Sequence, residues 1–315
     1  MSGPAAGAES GSAGSGAARG GEGAPVLSVA IPTFNNLEAL RRCLEGWRRH
    51  AADQPVELIV VEDGCSDGTA DYLAGVAATP WGRRTLRVLH LEDAHEQRCT
   101  TEGFAAARGA LLAAWQDDMF LRAGWMVPEL LRTFAAYPEL GMLALSRGLT
   151  FHPVDAPIRD FADATDWRRV ESGIGPAPWN WVRLQEVDGV VRPWVVRRAC
   201  LDAVGTLDEA FRPTEWDESD LAFRLRAGGW KVAACGYERL GAYVHLGSAT
   251  IGRTPSPRHQ AFFVRNAQLL WARWGDEVAR REGVRRATWR RRPTPAGWAA
   301  TLAQAARFAL RRGGG

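Results

Sequence analysis

Two acidic clusters, far apart in the chain, have the residue types that bind metals and move protons. Gln116-Asp117-Asp118 ends an apolar run, Ala110-Leu111-Leu112-Ala113-Ala114-Trp115. Trp216-Asp217-Glu218-Ser219-Asp220-Leu221 opens a stretch with helical spacing. Carboxylates at a strand end can hold a hard cation and, through it, phosphates. A carboxylate at a helix start can take the proton of an attacking hydroxyl. Upstream lie Ile31-Pro32-Thr33-Phe34-Asn35-Asn36 and Val60-Val61-Glu62-Asp63-Gly64-Cys65-Ser66-Asp67-Gly68-Thr69, each an apolar run ending in polar residues. Taken singly, each also fits a plain structural reading: Asp-Gly turns, solvated strand ends, and acids favoured by a helix dipole.

The elements that must position these groups follow from apolar periodicity. Strands are predicted over 26–31, 56–61, 86–91, 110–115 and 140–145, with helical spacing between them: Leu37, Leu40, Leu44 and Trp47 mark the first helix. Asn35 and Asn36 are candidate caps for that helix, and Ser66 or Asp67 for the next. Further strands are predicted at 190–196, 231–234 and 242–245. Helices are predicted over 198–204, 218–227 and about 257–281. Strands alternating with helices predict an α/β fold with a doubly wound, mostly parallel sheet. In such sheets ligands sit at the carboxyl ends of the strands, where Pro32-Thr33, Glu62-Asp63 and Asp117-Asp118 all fall.

Composition sets the outer bounds. The 315 residues, with 46% hydrophobic and 24% charged content, suit one large α/β core with an appended region. Five cysteines without CxxC spacing suggest neither a zinc site nor a disulfide framework. The Gly/Ala/Ser-rich residues 1–24 read as a disordered tail without a signal h-region. With no apolar run long enough to span a bilayer, the expectation is a cytoplasmic protein. The net charge of +3 is small, but the chain after Glu282 is strongly basic, and Lys231 is the only lysine. A basic tail over 284–315, with a weakly amphipathic helix, can make peripheral contact with anionic lipid. Nucleic acid is disfavoured, because the cations gather in the tail rather than among aromatics on a sheet.

At this level the chain resembles the family 2 glycosyltransferases of the GT-A fold, over about residues 26–275. Pro32-Thr33-Phe34-Asn35 is similar to the end of that family's first strand. Glu62-Asp63-Gly64-Cys65-Ser66-Asp67-Gly68-Thr69 is similar to its second loop, with Glu62 and Cys65 as substitutions. The resemblance implies a donor half over about 25–148 and an acceptor half over about 149–283. It implies that Pro32, Thr33, Phe34, Asn35 and Asp63 bind the donor nucleotide, with Asp63 accepting from the base. Asp117 would lie near the ribose or donor sugar, and Asp118 would bind Mn2+ or Mg2+. Gln116 replaces the first acid of the family's Asp-x-Asp element and removes one charge from it.

The resemblance also makes His245, within His245-Leu246-Gly247-Ser248-Ala249-Thr250, a third metal-site group. Arg98, in the segment His95–Gly103, would reach a donor phosphate. Glu218 takes the position of the general base, and Asp217 that of a group orienting it or the acceptor. The expected partners are a nucleoside diphosphate sugar and a hydroxyl acceptor (a glycan, a lipid-linked or a small molecule), with no nucleic acid. Trp179, Trp181 and Trp194 fall in the acceptor half without individual roles. The competing readings are a nucleotidyltransferase, for which the Gly-rich, Lys-containing phosphate loop is missing, and a non-catalytic scaffold on the same fold.

Overall fold

The computed structural model describes residues 25–169, 183–247, 256–292 and 294–312. The N-terminal stretch 1–24, with the disorder expected of it, and Trp179 and Trp181 lie outside the described residues.

The first half alternates strand and helix. In chain order these are β1 (Leu27–Thr33), α1 (Leu37–Ala51), β2 (Val56–Asp63), α2 (Thr69–Ala78), α3 (Pro80–Thr85), β3 (Leu86–Leu91), α4 (His95–Ala106), β4 (Leu111–Ala114), β5 (Met119–Leu121), α5 (Met126–Ala136) and β6 (Leu140–Ala144). There follow β7 (Gly148–Phe151), α6 (Phe161–Asp166), β8 (Arg168–Arg169), β9 (Arg183–Glu186), β10 (Gly189–Val190), β11 (Trp194–Arg197), α7 (Arg198–Val204) and α8 (Asp217–Ala227). The chain closes with β12 (Lys231–Ala234), β13 (Tyr243–His245), α9 (Pro257–Arg281), β14 (Thr288–Arg290) and α10 (Pro295–Arg312).

Nine strands form one sheet in the order β14-β9-β12-β6-β11-β4-β1-β2-β3. The pairs β1–β2, β1–β4, β2–β3 and β6–β12 are parallel, while β11 and β9 run against their neighbours. The expected α/β class with a mostly parallel sheet is therefore what the chain adopts. Strands β1 and β2 are buried along nearly their whole length because helices cover both faces. On β1, Leu27, Val29 and Ile31 join the core under α1 with Leu40, Leu44, Trp47 and Trp115. Ala30 points to the opposite core with Phe104 and Trp194, whose rings meet edge-on at 5.6 Å. Helix α4 lies very close to the sheet: a Cβ on Gly103 would fall 2.8 Å from that of Ala30, so a larger residue would push it away. A third, aromatic cluster joins Phe151, Trp167, Trp216, Phe223 and Phe263 beneath α9.

Two local expectations are corrected. Asn36 stands at the start of α1 but makes no side-chain cap; Asp67 does so from the neighbouring loop, its Oδ2 accepting from Leu37 N–H at 2.9 Å. The single strand expected over 190–196 divides into β10 and β11. Pro193 has no N–H for a ladder, and β10 pairs with β7 in a separate small sheet. Trp194 is fully buried in the core, which removes it from any acceptor surface.

The start of the expected basic tail over 284–315 also differs, since β14 adds to the edge of the main sheet beside β9. Fully buried Glu129 of α5 explains why: it pairs with Arg291 and accepts from Thr294 N–H at 2.6 Å. Removing one partner of a buried ion pair strands the other charge, typically at about 3–5 kcal/mol. Arg291→Ala should therefore lower stability by about that amount, while exposed Arg292→Ala stays within about 0.5 kcal/mol. Urea unfolding of both variants checks this; equal, small losses would mean that β14 and α10 are held by other contacts.

Candidate active site

The loops after β1 and β2 are braced to each other before they can meet any ligand. Asn35 is held at φ 47, and its Oδ1 accepts from Ser66 N–H at 2.8 Å. Asp67 Oδ1 accepts from the Thr69 hydroxyl at 2.6 Å. Glu62 accepts from Cys65 N–H and faces His90 Nδ1 at 2.9 Å. Asp63 uses both carboxylate oxygens on the start of α4, accepting from Ala94 N–H and His95 N–H, each at 2.8 Å. This is capping geometry, and it anchors α4 to the end of β2. Pro32 is half-buried opposite Val61, and Phe34 is exposed at the rim.

One strand further along, the acids are tied back to β1. Thr33 Oγ1 donates to Asp117 Oδ2 at 2.8 Å and Asn36 Nδ2 donates to Asp117 Oδ1 at 3.0 Å. Burial nevertheless raises the Asp117 pKa to about 6; those two donors oppose the shift, and the charges of Asp118 and Glu96 add to it. Asp118 lies 3.4 Å from His245 Nε2. The register of β13 on β5 produces this proximity, setting His245 opposite Met119, while Leu246 N–H bonds the Asp118 carbonyl at 3.1 Å.

His245, and Gln116 next to Asp117, line a cavity of about 810 Å³. Its lining includes Glu96, Gln116, Arg192, Glu218, Arg239 and His245. Glu96 and Arg192 were not singled out from the sequence, yet they organise the wall. Glu96 pairs with Arg192 and accepts from Gln116 Nε2 and the Thr214 hydroxyl, each at 3.0 Å. Burial works against its ionisation, but Arg192 and these donors hold its carboxyl below the usual range. Arg192 Nη2 also lies 3.8 Å from Asp217 Oδ2. Nothing in the local sequence marks Arg192; only the packing of β11's approach against α4 and α8 brings it here. The segment His95–Gly103 does reach the cavity, but through Glu96. Arg98 is exposed, 3.8 Å from Glu102, and is not among the lining side chains.

At the start of α8 the two acids face different surroundings. Glu218 lines the cavity, whereas Asp217 is only 1% exposed and neither of its oxygens accepts a hydrogen bond. Burial raises the pKa of both carboxyls; Glu218 is raised further by the charge of Asp217, and Arg192 opposes both shifts. Asp220, two residues on, is structural: fully buried, it receives Arg224, Arg273 and Trp274. The backbone entering α8 is strained, with Glu215 at φ 75 and Trp216 at φ 70, a region that non-glycine residues seldom occupy. Helix α9 supplies the restraint. Asn266 Nδ2 donates to the carbonyls of Phe211 and Thr214, and Trp216 Nε1 donates to the Phe263 carbonyl at 3.0 Å.

Asp118 and His245 form a two-donor set of the hard-to-borderline type that suits Mn2+ or Mg2+. Among the described residues no group of three or more His, Cys, Asp or Glu gathers as a metal site. The pair therefore fits an ion that completes its shell with phosphate oxygens and water, rather than one caged by protein. The Ser248–Thr250 part of the His245 run lies outside the described residues.

His259 on α9 makes the loop sensitive to pH. Its Nε2 is 3.1 Å from Glu215 Oε1, and that bond raises its pKa above the ordinary 6.5. The folded state thus favours the imidazolium. Its stabilisation is full below pH 6.5 and is lost as pH rises through the higher folded value. The stability gap between the wild type and His259→Asn should accordingly be widest in acid and close toward alkaline pH. Thermal melting across about pH 5.5–9 measures it, and a constant gap would remove His259 from the loop's support.

The chain is similar in sequence to known proteins. Residues 28–147 match the sequence model described as Glycosyl transferase family 2. An uncharacterized protein of Sinorhizobium fredii, y4gI, is 25% identical over 263 residues, covering 80% of this chain and 28% of that protein. The undecaprenyl-phosphate 4-deoxy-4-formamido-L-arabinose transferase of Serratia proteamaculans is 35% identical over 97 residues, covering 30% of this chain and 29% of its own. Validoxylamine A glucosyltransferase of Streptomyces hygroscopicus subsp. jinggangensis is 28% identical over 228 residues, with 65% and 52% covered. The chain thus spans about half or less of the length of these relatives. Among solved structures, a Pyrobaculum calidifontis mannosyltransferase in complex with GDP-Man and Mn2+ superposes with a TM-score of 0.48 at 17% identity, over 91% of this chain and 81% of that one. Residues 28–147 are thus similar to glycosyl transferase family 2.

Proposed function

We propose that the chain moves a sugar from a nucleoside diphosphate donor to a hydroxyl acceptor, with inversion at the anomeric carbon. The observation that carries this reading is a single cavity whose walls hold both parts of such chemistry. On one side His245 lines it with Asp118 at 3.4 Å; on the other Glu218 faces in, its proton affinity raised by burial and by Asp217. The family match over residues 28–147 and the named sugar transferases among the relatives support the same class of reaction.

In this reading Glu218 takes the proton of the acceptor hydroxyl as that oxygen attacks the anomeric carbon. A carboxylate of raised pKa is the stronger base for that step, once ionised. Asp217, buried next to it, would orient Glu218 or the acceptor, and the positive charge of Arg192 opposes the rise in both carboxyls' proton affinity. Thr33 and Asn36 fix the Asp117 carboxyl where the ribose or donor sugar would lie. Asp63, which anchors α4, would also accept from the donor base, with Pro32, Phe34 and Asn35 beside the nucleotide. Asp118 and His245 would hold Mn2+ or Mg2+, which supplies positive charge to the leaving diphosphate. Exposed Arg98 has no part in this account. The scaffold alternative keeps one supporting observation, Gln116 in the place of an acid, and predicts no turnover.

A panel of uridine- and guanosine-diphosphate sugars, with and without Mn2+, tests the proposal through release of the nucleoside diphosphate. Release with at least one donor is expected, and none with any donor or added sugar acceptor would favour the scaffold. Asp118→Ala should abolish metal-dependent donor binding. Glu218→Gln should bind donor normally while losing about 10²–10⁴ in turnover. If Asp217→Asn stops turnover while Glu218→Gln stays active, the base is Asp217 instead.

A further inference from the structure

The last helix presents an apolar strip to solvent that no described residue covers. Trp298, Leu302 and Leu310 of α10 are 53%, 63% and 79% exposed. At 3.6 residues per turn they fall within an arc of about 120°. The helix carries Arg307, Arg311 and Arg312, and no acidic residue follows Glu282 anywhere in the chain. Apolar side chains on one arc of a cationic helix are the composition of an interfacial helix, which lies in the headgroup layer. Among the described residues no helix is long and apolar enough to cross a membrane, so contact of this kind stays at the surface.

We infer that α10 docks this chain onto an anionic bilayer surface, with Trp298, Leu302 and Leu310 entering the headgroup layer. The inference goes beyond sugar transfer and does not depend on it. Charge selects the bilayer over a second copy of the chain, because two helices with three arginines and no acid repel each other. Three side chains are also far too few for a stable protein interface, which needs roughly 800 Å² on each partner. The placement has a consequence for the cavity. Helix α10 packs against the 3₁₀ turn Glu238–Leu240, and Glu238 and Arg239 of that turn line the cavity. Docking therefore brings one wall of the cavity to the lipid surface, where a membrane-held acceptor would be presented to Glu218. The inner part of the basic segment is already committed to the fold, with Arg286 on Asp188 at 2.6 Å and Arg291 on Glu129. That anchoring makes α10 a fixed appendage rather than a loose tail.

The test is co-sedimentation of the full chain with vesicles of phosphatidylcholine alone and of phosphatidylcholine with phosphatidylglycerol. Binding to the anionic vesicles is expected, weaker at high salt and at least about tenfold weaker on neutral ones. The triple variant Trp298→Ser, Leu302→Ser, Leu310→Ser should lose binding by about tenfold or more. All three side chains are exposed, so its melting temperature and its nucleoside diphosphate release in solution should match the wild type. This separates failure of docking from failure of the sugar-transfer reading. Equal binding by the variant and the wild type, or no binding to either vesicle, would overturn the inference. So would a doubling of mass by light scattering that the variant abolishes, which would show that the strip covers a second copy.

Discussion

Crowding of carboxylates at one edge of the sheet is the constraint on which the rest of this structure depends. Glu96 and Glu218 line one cavity, and Asp117, Asp118 and Asp217 are buried next to residues that line it. Left unpaired, such a group of charges would be expelled or protonated. A single buried guanidinium, that of Arg192, stands among them, paired with Glu96 and close to Asp217. The balance is incomplete, since Asp117, Asp217 and Glu218 remain harder to ionise than in water. That residual cost is what a cation and a proton-yielding substrate would relieve.

The balance requires four segments from distant parts of the chain to hold position. The end of β2 fixes α4, and hence Glu96, through the two Asp63 hydrogen bonds. The end of β1 fixes Asp117 through Thr33 and Asn36. The antiparallel pairing of β13 with β5 brings His245 beside Asp118. Entry into α8 is the costly part, with two consecutive non-glycine residues at positive φ. Asn266, His259 and the aromatic cluster around Trp216 on and beneath α9 hold that turn in place. Helix α9 thus acts on the site from behind, without lining it.

The C-terminal segment shows the same use of buried charge at the far edge of the sheet. Asp188 gathers Arg281 and Arg286, and Glu129 gathers Arg291 and the Thr294 amide. An arginine-rich run that would stay solvated on its own is thereby folded onto the domain, and α10 is carried out beyond it with an uncovered apolar strip.

Much of this was legible in the amino-acid order. The strands at 86–91 and 231–234 and the helices at 198–204 and 257–281 follow from apolar period, and the structure places them at those bounds. The polar ends of β1, β2 and β4, with the acids of the last two, could be placed at one edge of the sheet, because parallel strands put their carboxyl ends together. Local pattern also located the acidic start of α8. What it could not supply was partners. Arg192 looks like any arginine before a proline, and Glu96 like any acid in the first turn of a helix. Their pairing exists only where β11's approach, α4 and α8 converge. Asn36 looked like a cap, yet Asp67, thirty residues on, fills that role. The basic run at 289–292 read as part of a tail because its acidic counterpart, Glu129, lies more than 150 residues earlier. Periodicity is a property of neighbours in the chain, whereas the compensation of a buried charge depends on which distant segments the sheet brings together.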